Sequence, residues 1–474
     1  MIYGLDICSL VSVFENVLKA MSTNYYMSNQ VPYTLLLVLP NTRQILLIED
    51  ENGLVLPSVK IDRCARPAER LTLLIRQQWA VDALCIEVIV EDNAPMKYAI
   101  FEVRTSLSAE TCTSLHALEI DSICEDAVPP CVIDALRSLL SGQSLGSGRF
   151  SRFGWFREVN DWLLSLISEP NVNISKYDQL NAGGNFALIR LETSGGQAYW
   201  LKAVGSPNTR EFPITRLLVS SFPSYLPKIL GMRDDWNAWI MEEYGKSLHT
   251  SVGIEAFERA ARKLSSLQHD AVESRELLLN SALRDHRLDI LDRHIDAIIA
   301  YLDQAMLCQT SLKVDPLSTE RLQLIQRFLH NACEEMDTLG IPDSLMHGDI
   351  SPGSILDDGK NCVFTDWCEA AVGNPFITFE LFCVHVLART NTPRLWRNRL
   401  SMVYRTVWCD YLSKTQTDSA LHLAQPLAVL SYLYGTGDWL SEVRRFDPEF
   451  QSYSRSLGRQ LDAMTREEKF GRLL

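Results

Sequence analysis

The feature that most constrains the fold is a change of hydrophobic period near Leu248. Before it, apolar runs have strand length and are cut by turn residues: "YTLLLVL", "QILLIED", "CIEVIVED", "KYAIFEVR" and "QAYWLKAV". After it, apolar residues recur at helical spacing. In "RLDILDRHIDAIIAYL", Leu288, Leu291, Ile295, Ile298, Ile299 and Leu302 share one face. In "STERLQLIQRFLHNACEEMDTLG", Ser318 reads as an N-cap and Gly340 as a stop. Side chains repeat every two residues in a strand and about every 3.6 in a helix. A chain patterned this way makes a β-rich part followed by a large helical part, an α+β class.

The chain has 474 residues, enough for two or three domains. Composition breaks at "SGQSLGSGRFSRFGW", Ser141 to Trp155, which is linker chemistry. Residues 1–140 then form a mixed α/β domain. "YTLLLVL" and "QILLIED" flank "PNTR", a hairpin signal. Pro67 starts a helix that carries Leu71, Leu74, Ile75 and Trp79 at helical spacing. Residues 141–170 are a linker and a connecting helix, 171–248 a small β-rich lobe and 249–474 a helical lobe.

Composition excludes some functions. The formal net charge of -14 argues against a nucleic-acid partner, which needs a basic face to neutralise phosphates. The twelve cysteines show no C-x-x-C spacing and read as reduced thiols. The first twenty residues carry Asp6, Glu15 and Lys19, so they suit a short amphipathic helix better than a signal peptide or an anchor. The expectation is a soluble cytoplasmic protein with no membrane and no nucleic-acid partner.

Two stretches carry the chemistry, "LMHGDISPGSIL" at Leu345–Leu356 and "VFTDWCEAAVGNP" at Val363–Pro375. Phosphoryl transfer from ATP needs a strand lysine for the phosphates, a glutamate to orient it, an aspartate for the attacking group and ligands for magnesium. Lys202 in "YWLKAV" is the candidate lysine, and Glu211, opening the next helix, is its partner; the plain alternative is an edge lysine facing water. Gly183, Gly184 and Asn185 make a tight turn whose backbone N–H groups suit phosphates, although most such turns are simple hairpins. Asp349 is the candidate base, in a loop after a helix. His347 fixes that loop by a hydrogen bond. Asp366, ending the strand "CVFTD", is placed to hold magnesium.

These stretches resemble the aminoglycoside phosphotransferase and choline kinase-like superfamily, from about Ile174 to about Leu440. The resemblance implies a bilobal protein-kinase-like fold, Mg-ATP as donor and a hydroxyl or amine of a small molecule as acceptor. It places the second magnesium ligand, usually asparagine, on Ser354. It also departs from the antibiotic-modifying members, since Thr378 and Phe379 stand where an Asp-Leu pair is common. The front domain resembles a Nudix domain that has lost its chemistry. Its box glycine falls on Val59, and its acids fall on Ala65, Leu74, Gln77 and Gln78, none of which can hold a metal. The function expected is a small-molecule kinase; the alternative is a nucleotide- or metabolite-binding regulator without turnover. Acceptor-binding residues are expected after Leu248 and after Pro375, with Trp367 and Trp439 as candidates.

Overall fold

The computed structural model describes residues 30–51, 53–89, 97–104, 115–120, 128–145, 148–167, 172–184 and 186–474. The amphipathic segment expected in the first twenty residues lies outside them. Among the described residues there are two compact units, 30–212 with 228–243, and 213–227 with 244–474.

The first unit opens with a seven-stranded sheet built from β1 (Gln30–Leu39), β2 (Gln44–Asp50), β3 (Gly53–Val55), β4 (Ser58–Asp62), β5 (Ala83–Ile89), β6 (Lys97–Val103) and β7 (His116–Glu119). β1 and β2 pair antiparallel across the "PNTR" turn, and β1 pairs parallel with β6. Alternation along β1 sends its side chains to two cores. Tyr33, Leu35 and Leu37 pack with Leu71 and Ile75 of helix α1 (Pro67–Trp79). Pro67 sits in the first turn of α1, where its missing N–H costs nothing. Leu36 and Val38 face a second core.

That second core also takes in another sheet. β8 (Ile174–Asn181), β9 (Ala187–Thr193), β10 (Ala198–Ala203), β11 (Ile229–Arg233) and β12 (Ala238–Glu242) form five strands in the order β11-β12-β10-β9-β8. Tyr177, Ile189, Leu191, Leu201 and Ile240 join Leu36, Val38 and Ile86 in one cluster. Helices α2 (Pro130–Leu140) and α3 (Trp155–Leu166) contribute Leu136, Trp155, Phe156 and Leu163 to it. The Gly/Ser stretch is therefore packed as well as connecting: Phe150 and Trp155 are buried. Gln179 of β8 bonds the N–H and the carbonyl of Cys85 on β5, at 2.8 and 2.9 Å.

The second unit is mainly helical. It contains α5 (Ile254–Ala271), α6 (Arg275–Leu279), α7 (Leu288–Leu307), α8 (Thr319–Thr338), α9 (Pro375–Leu387), α10 (Pro393–Trp408), α11 (Lys414–Thr436) and α12 (Pro448–Met464). α7 buries Leu291, Ile295, Ile298, Ile299 and Leu302. Ser318 caps α8 by accepting the Arg321 N–H, and Gly340 follows with φ +63°. Two small sheets interrupt the helices: β13 (Lys246–Ser247), β16 (Ile355–Asp357) and β17 (Cys362–Phe364), then β14 (Arg284–His286), β18 (Ala371–Gly373) and β15 (Ser344–Met346).

A buried polar network fixes β15. The Ser344 hydroxyl donates to the Gln268 carbonyl. The Gln268 amide donates to the Pro375 carbonyl at 3.0 Å, and the Tyr404 hydroxyl donates to Gln268 Oε1 at 2.6 Å. Satisfied networks of this kind make one arrangement better than its neighbours, since breaking any member strands the others. Among the described residues no helix is long and apolar enough to cross a membrane, and Cys85, Cys308, Cys333, Cys362, Cys383 and Cys409 are free thiols.

Candidate active site

In the first unit Lys202 lies near the end of β10, paired with Leu188 on one side and Trp239 on the other. Its ammonium is 5.6 Å from the Trp239 ring and 2.5 Å from Glu211 Oε1. Glu211 opens helix α4 (Glu211–Ser221), and only 3% of its side chain is exposed, against 15% for Lys202. A carboxylate so poor in water persists because the lysine compensates it; removing either partner would strand a buried charge. The Gly183–Gly184 turn joins β8 to β9. Gly183 accepts the Phe186 N–H at 3.3 Å and has φ +149°. Asn185 lies outside the described residues.

In the second unit the chain passes from β15 into His347, Gly348 and Asp349. The loop thus follows a three-residue strand, not α8 directly as expected, since β15 pairs with β18 before the loop begins. Gly348 has φ +80°, and a Cβ there would lie 2.0 Å from the Glu369 carbonyl oxygen. Only glycine permits that approach, which sets the Asp349 loop against the Asp366 turn. His347 is buried, and its Nε2 donates to the Thr365 carbonyl at 2.8 Å. Its ring lies 4.4 Å from that of Trp367.

Asp366 follows β17, is exposed, and has φ +64°. A residue with a Cβ is strained in the left-handed region, by about 1–2 kcal/mol for most side chains, and aspartate tolerates it better than most. Asp349, by contrast, is half-buried.

Ser354 has a local task. Its hydroxyl donates to the Ser351 carbonyl at 2.9 Å and accepts the Ser351 N–H at 3.0 Å, while Ser351 caps the same short turn. The side chain is buried. Its one hydrogen and one lone pair are committed to holding residues 351–354. This arrangement locks the loop and leaves the hydroxyl its second lone pair. Asp366 does fit magnesium, which typically takes one or two carboxylates and completes its shell with phosphates and water.

Sequence reasoning missed two tyrosines. Tyr432 on α11 and Tyr453 on α12 are half-buried, with rings 5.6 Å apart. Burial pushes the Tyr453 hydroxyl up to about 12, the bond to Tyr432 opposes this, and the Asp349 charge adds to the rise. Tyr432 is also raised, by burial first and by Asp349 among several charges. The pair therefore stands in the field of Asp349. Two tyrosines on separate helices carry no joint sequence signal. Trp367 and Trp439 are both buried, so core packing accounts for them. Thr378 is also fully buried, within α9.

No family model matches this chain, and no curated protein does. Solved structures do show likeness. A choline/ethanolamine kinase family protein from Mesorhizobium loti shares 13% identity over 66% of this chain and 97% of its own, with a TM-score of 0.42. A choline kinase from Cryptosporidium parvum Iowa II shares 11% over 66% of this chain and 97% of its own, with a TM-score of 0.47. The GDP complex of wild-type aminoglycoside 2'-phosphotransferase-IIIa shares 17% over 65% of this chain and 99% of its own, with a TM-score of 0.39.

Proposed function

We propose that this protein is an ATP-dependent phosphotransferase acting on a hydroxyl or amine of a small molecule. The observation that carries the reading is the buried His347–Thr365 hydrogen bond. It ties the loop bearing Asp349 to the turn bearing Asp366, so two carboxylates of different exposure are held by one link. Asp349 is the base. It takes the proton from the acceptor as the acceptor oxygen or nitrogen bonds to the γ-phosphorus, and the bond from that phosphorus to the bridging oxygen breaks to release ADP. Lys202, oriented by Glu211, holds the α- and β-phosphates, and the Gly183–Gly184 turn covers them. Asp366 would hold magnesium, which would offset charge on the transferring group. His347 positions and does not react. The front sheet is read as a Nudix-like scaffold without hydrolysis, because Gln77 and Gln78 are exposed neutral amides where acids would be needed.

The test is ADP formation from Mg-ATP with a pooled small-metabolite extract, with Asp349→Asn as the blank. Turnover above the blank, falling by about a hundredfold or more in the variant, is expected from loss of a general base. Fractionating the pool then identifies the acceptor. Full activity in Asp349→Asn would remove Asp349 as base. Mg-ATP binding with no ADP from any fraction would replace the kinase by the nucleotide-binding regulator.

A further inference from the structure

We infer that residues 144–145 and 148–154 form a strap by which the front sheet holds the Gly183–Gly184 turn in place, with Glu87 and Ser151 as its positioning residues. The inference rests on the reading that this turn covers nucleotide phosphates.

The strap closes on itself. The Leu145 N–H donates to the Ser151 carbonyl at 2.9 Å, and the Ser144 hydroxyl bonds the Gly148 carbonyl. One side of it meets the glycine turn. The Phe150 N–H donates to the Gly184 carbonyl at 3.2 Å. A Cβ on Gly184 would lie 3.2 Å from the Leu145 carbonyl oxygen and 3.3 Å from Ser151 Oγ. The contact is thus mostly backbone on backbone, with little room for a Cβ at Gly184.

The other side of the strap is fastened to the front sheet. The Ser151 hydroxyl, fully buried, donates to the Glu87 carboxylate. The Gly154 N–H donates to Glu102 Oε2 at 2.8 Å. A bulge in β5 makes the first of these bonds possible. Pairing with β6 slips between Cys85 and Glu87. Strict alternation would put Glu87 on the face of Cys85, against α1. The extra residue places it with Ile86 on the face of the second core, which is how bulges re-aim side chains. Phe150 anchors the strap further, its ring 5.1 Å from Trp155 and 5.8 Å from Trp236. A glycine turn in a plain hairpin would be free to fray. This one is held by a carboxylate from a strand 64 residues before Ser151.

The test compares Ser151→Ala, Glu87→Ala and Glu87→Gln with the full-length wild type. Readouts are amide exchange at residues 183–190, global melting and titration with Mg-ATP. In Ser151→Ala and Glu87→Ala, exchange at the turn should rise about tenfold with little change in global melting. The dissociation constant for Mg-ATP should rise roughly three- to tenfold, the worth of one hydrogen bond. Glu87→Gln keeps a carbonyl acceptor for Ser151 and should behave as wild type. Unchanged exchange in both alanine variants overturns the strap, whatever nucleotide binding shows. Raised exchange with an unchanged dissociation constant overturns its role in nucleotide holding. A wild type that does not bind Mg-ATP defeats the kinase reading, while exchange still decides whether the strap exists.

Discussion

His347 donates from Nε2 to the carbonyl of Thr365, 2.8 Å away and 18 residues further along the chain. A carbonyl can only accept, so the hydrogen of the imidazole is on Nε2 in this bond. The bond makes one unit of two loops that the chain delivers separately, one from β15 and one from β17.

Replacing His347 by alanine should therefore cost stability and turnover together. Loss of a buried ring and of its hydrogen bond should remove about 2–4 kcal/mol. ADP formation should fall at least tenfold, while Mg-ATP binding at Lys202 and Glu211 is retained. Chemical denaturation and the ADP assay check this; a stable, fully active variant would show that the link positions nothing.

Asp366→Gly separates strain from function. Glycine adopts a positive φ without the Cβ clash, so the variant should melt at or above the wild-type temperature. It should also lose Mg-dependent ADP formation. A variant that melts lower would show that Asp366 is held by contacts that outweigh its backbone strain.

Ser354→Ala deletes both bonds of the 351–354 turn. A loss of about 1–2 kcal/mol is expected. The magnesium concentration for half-maximal activity should stay where it is, because the hydroxyl locks a loop. A large increase in that concentration, measured by titrating the ADP assay with magnesium, would make Ser354 a ligand after all.

The helical core should respond to acid through His385. This α9 residue is buried, and burial alone lowers its pKa from 6.5 to about 4. The folded state thus favours the neutral ring. Its contribution to stability is complete above the unfolded value of 6.5 and is lost as pH falls toward 4. Melting temperature should drop across that window, and His385→Leu should flatten the drop. Parallel melts of the two proteins between pH 7.5 and pH 4.5, in roughly half-unit steps, would show it.

Much of the architecture was readable because it is periodic. Apolar runs of strand length around a turn marked β1 and β2, and helical spacing marked the buried face of α7. Of the short strands β13 to β18 only β17 was readable, as the apolar run before Asp366; the other segments of two or three residues show no period. The lock on Ser354 was readable and overlooked: two hydroxyl residues three apart after a loop have the spacing of a capping box. The left-handed backbone of Asp366 had no signal, because aspartate is common in ordinary strands' ends and turns.

The sequence by itself determined the order of chemical groups, from Lys202 through Glu211 and Asp349 to Asp366, and the periods of the elements that carry them. Only the tertiary structure decided what each group is engaged in. Ser354 is committed to its own turn, His347 to Thr365, and Ser151 to Glu87. The reason is physical. A period is set by neighbours along the chain, but the state of a hydroxyl, ring or carboxylate depends on which partner reaches it through space.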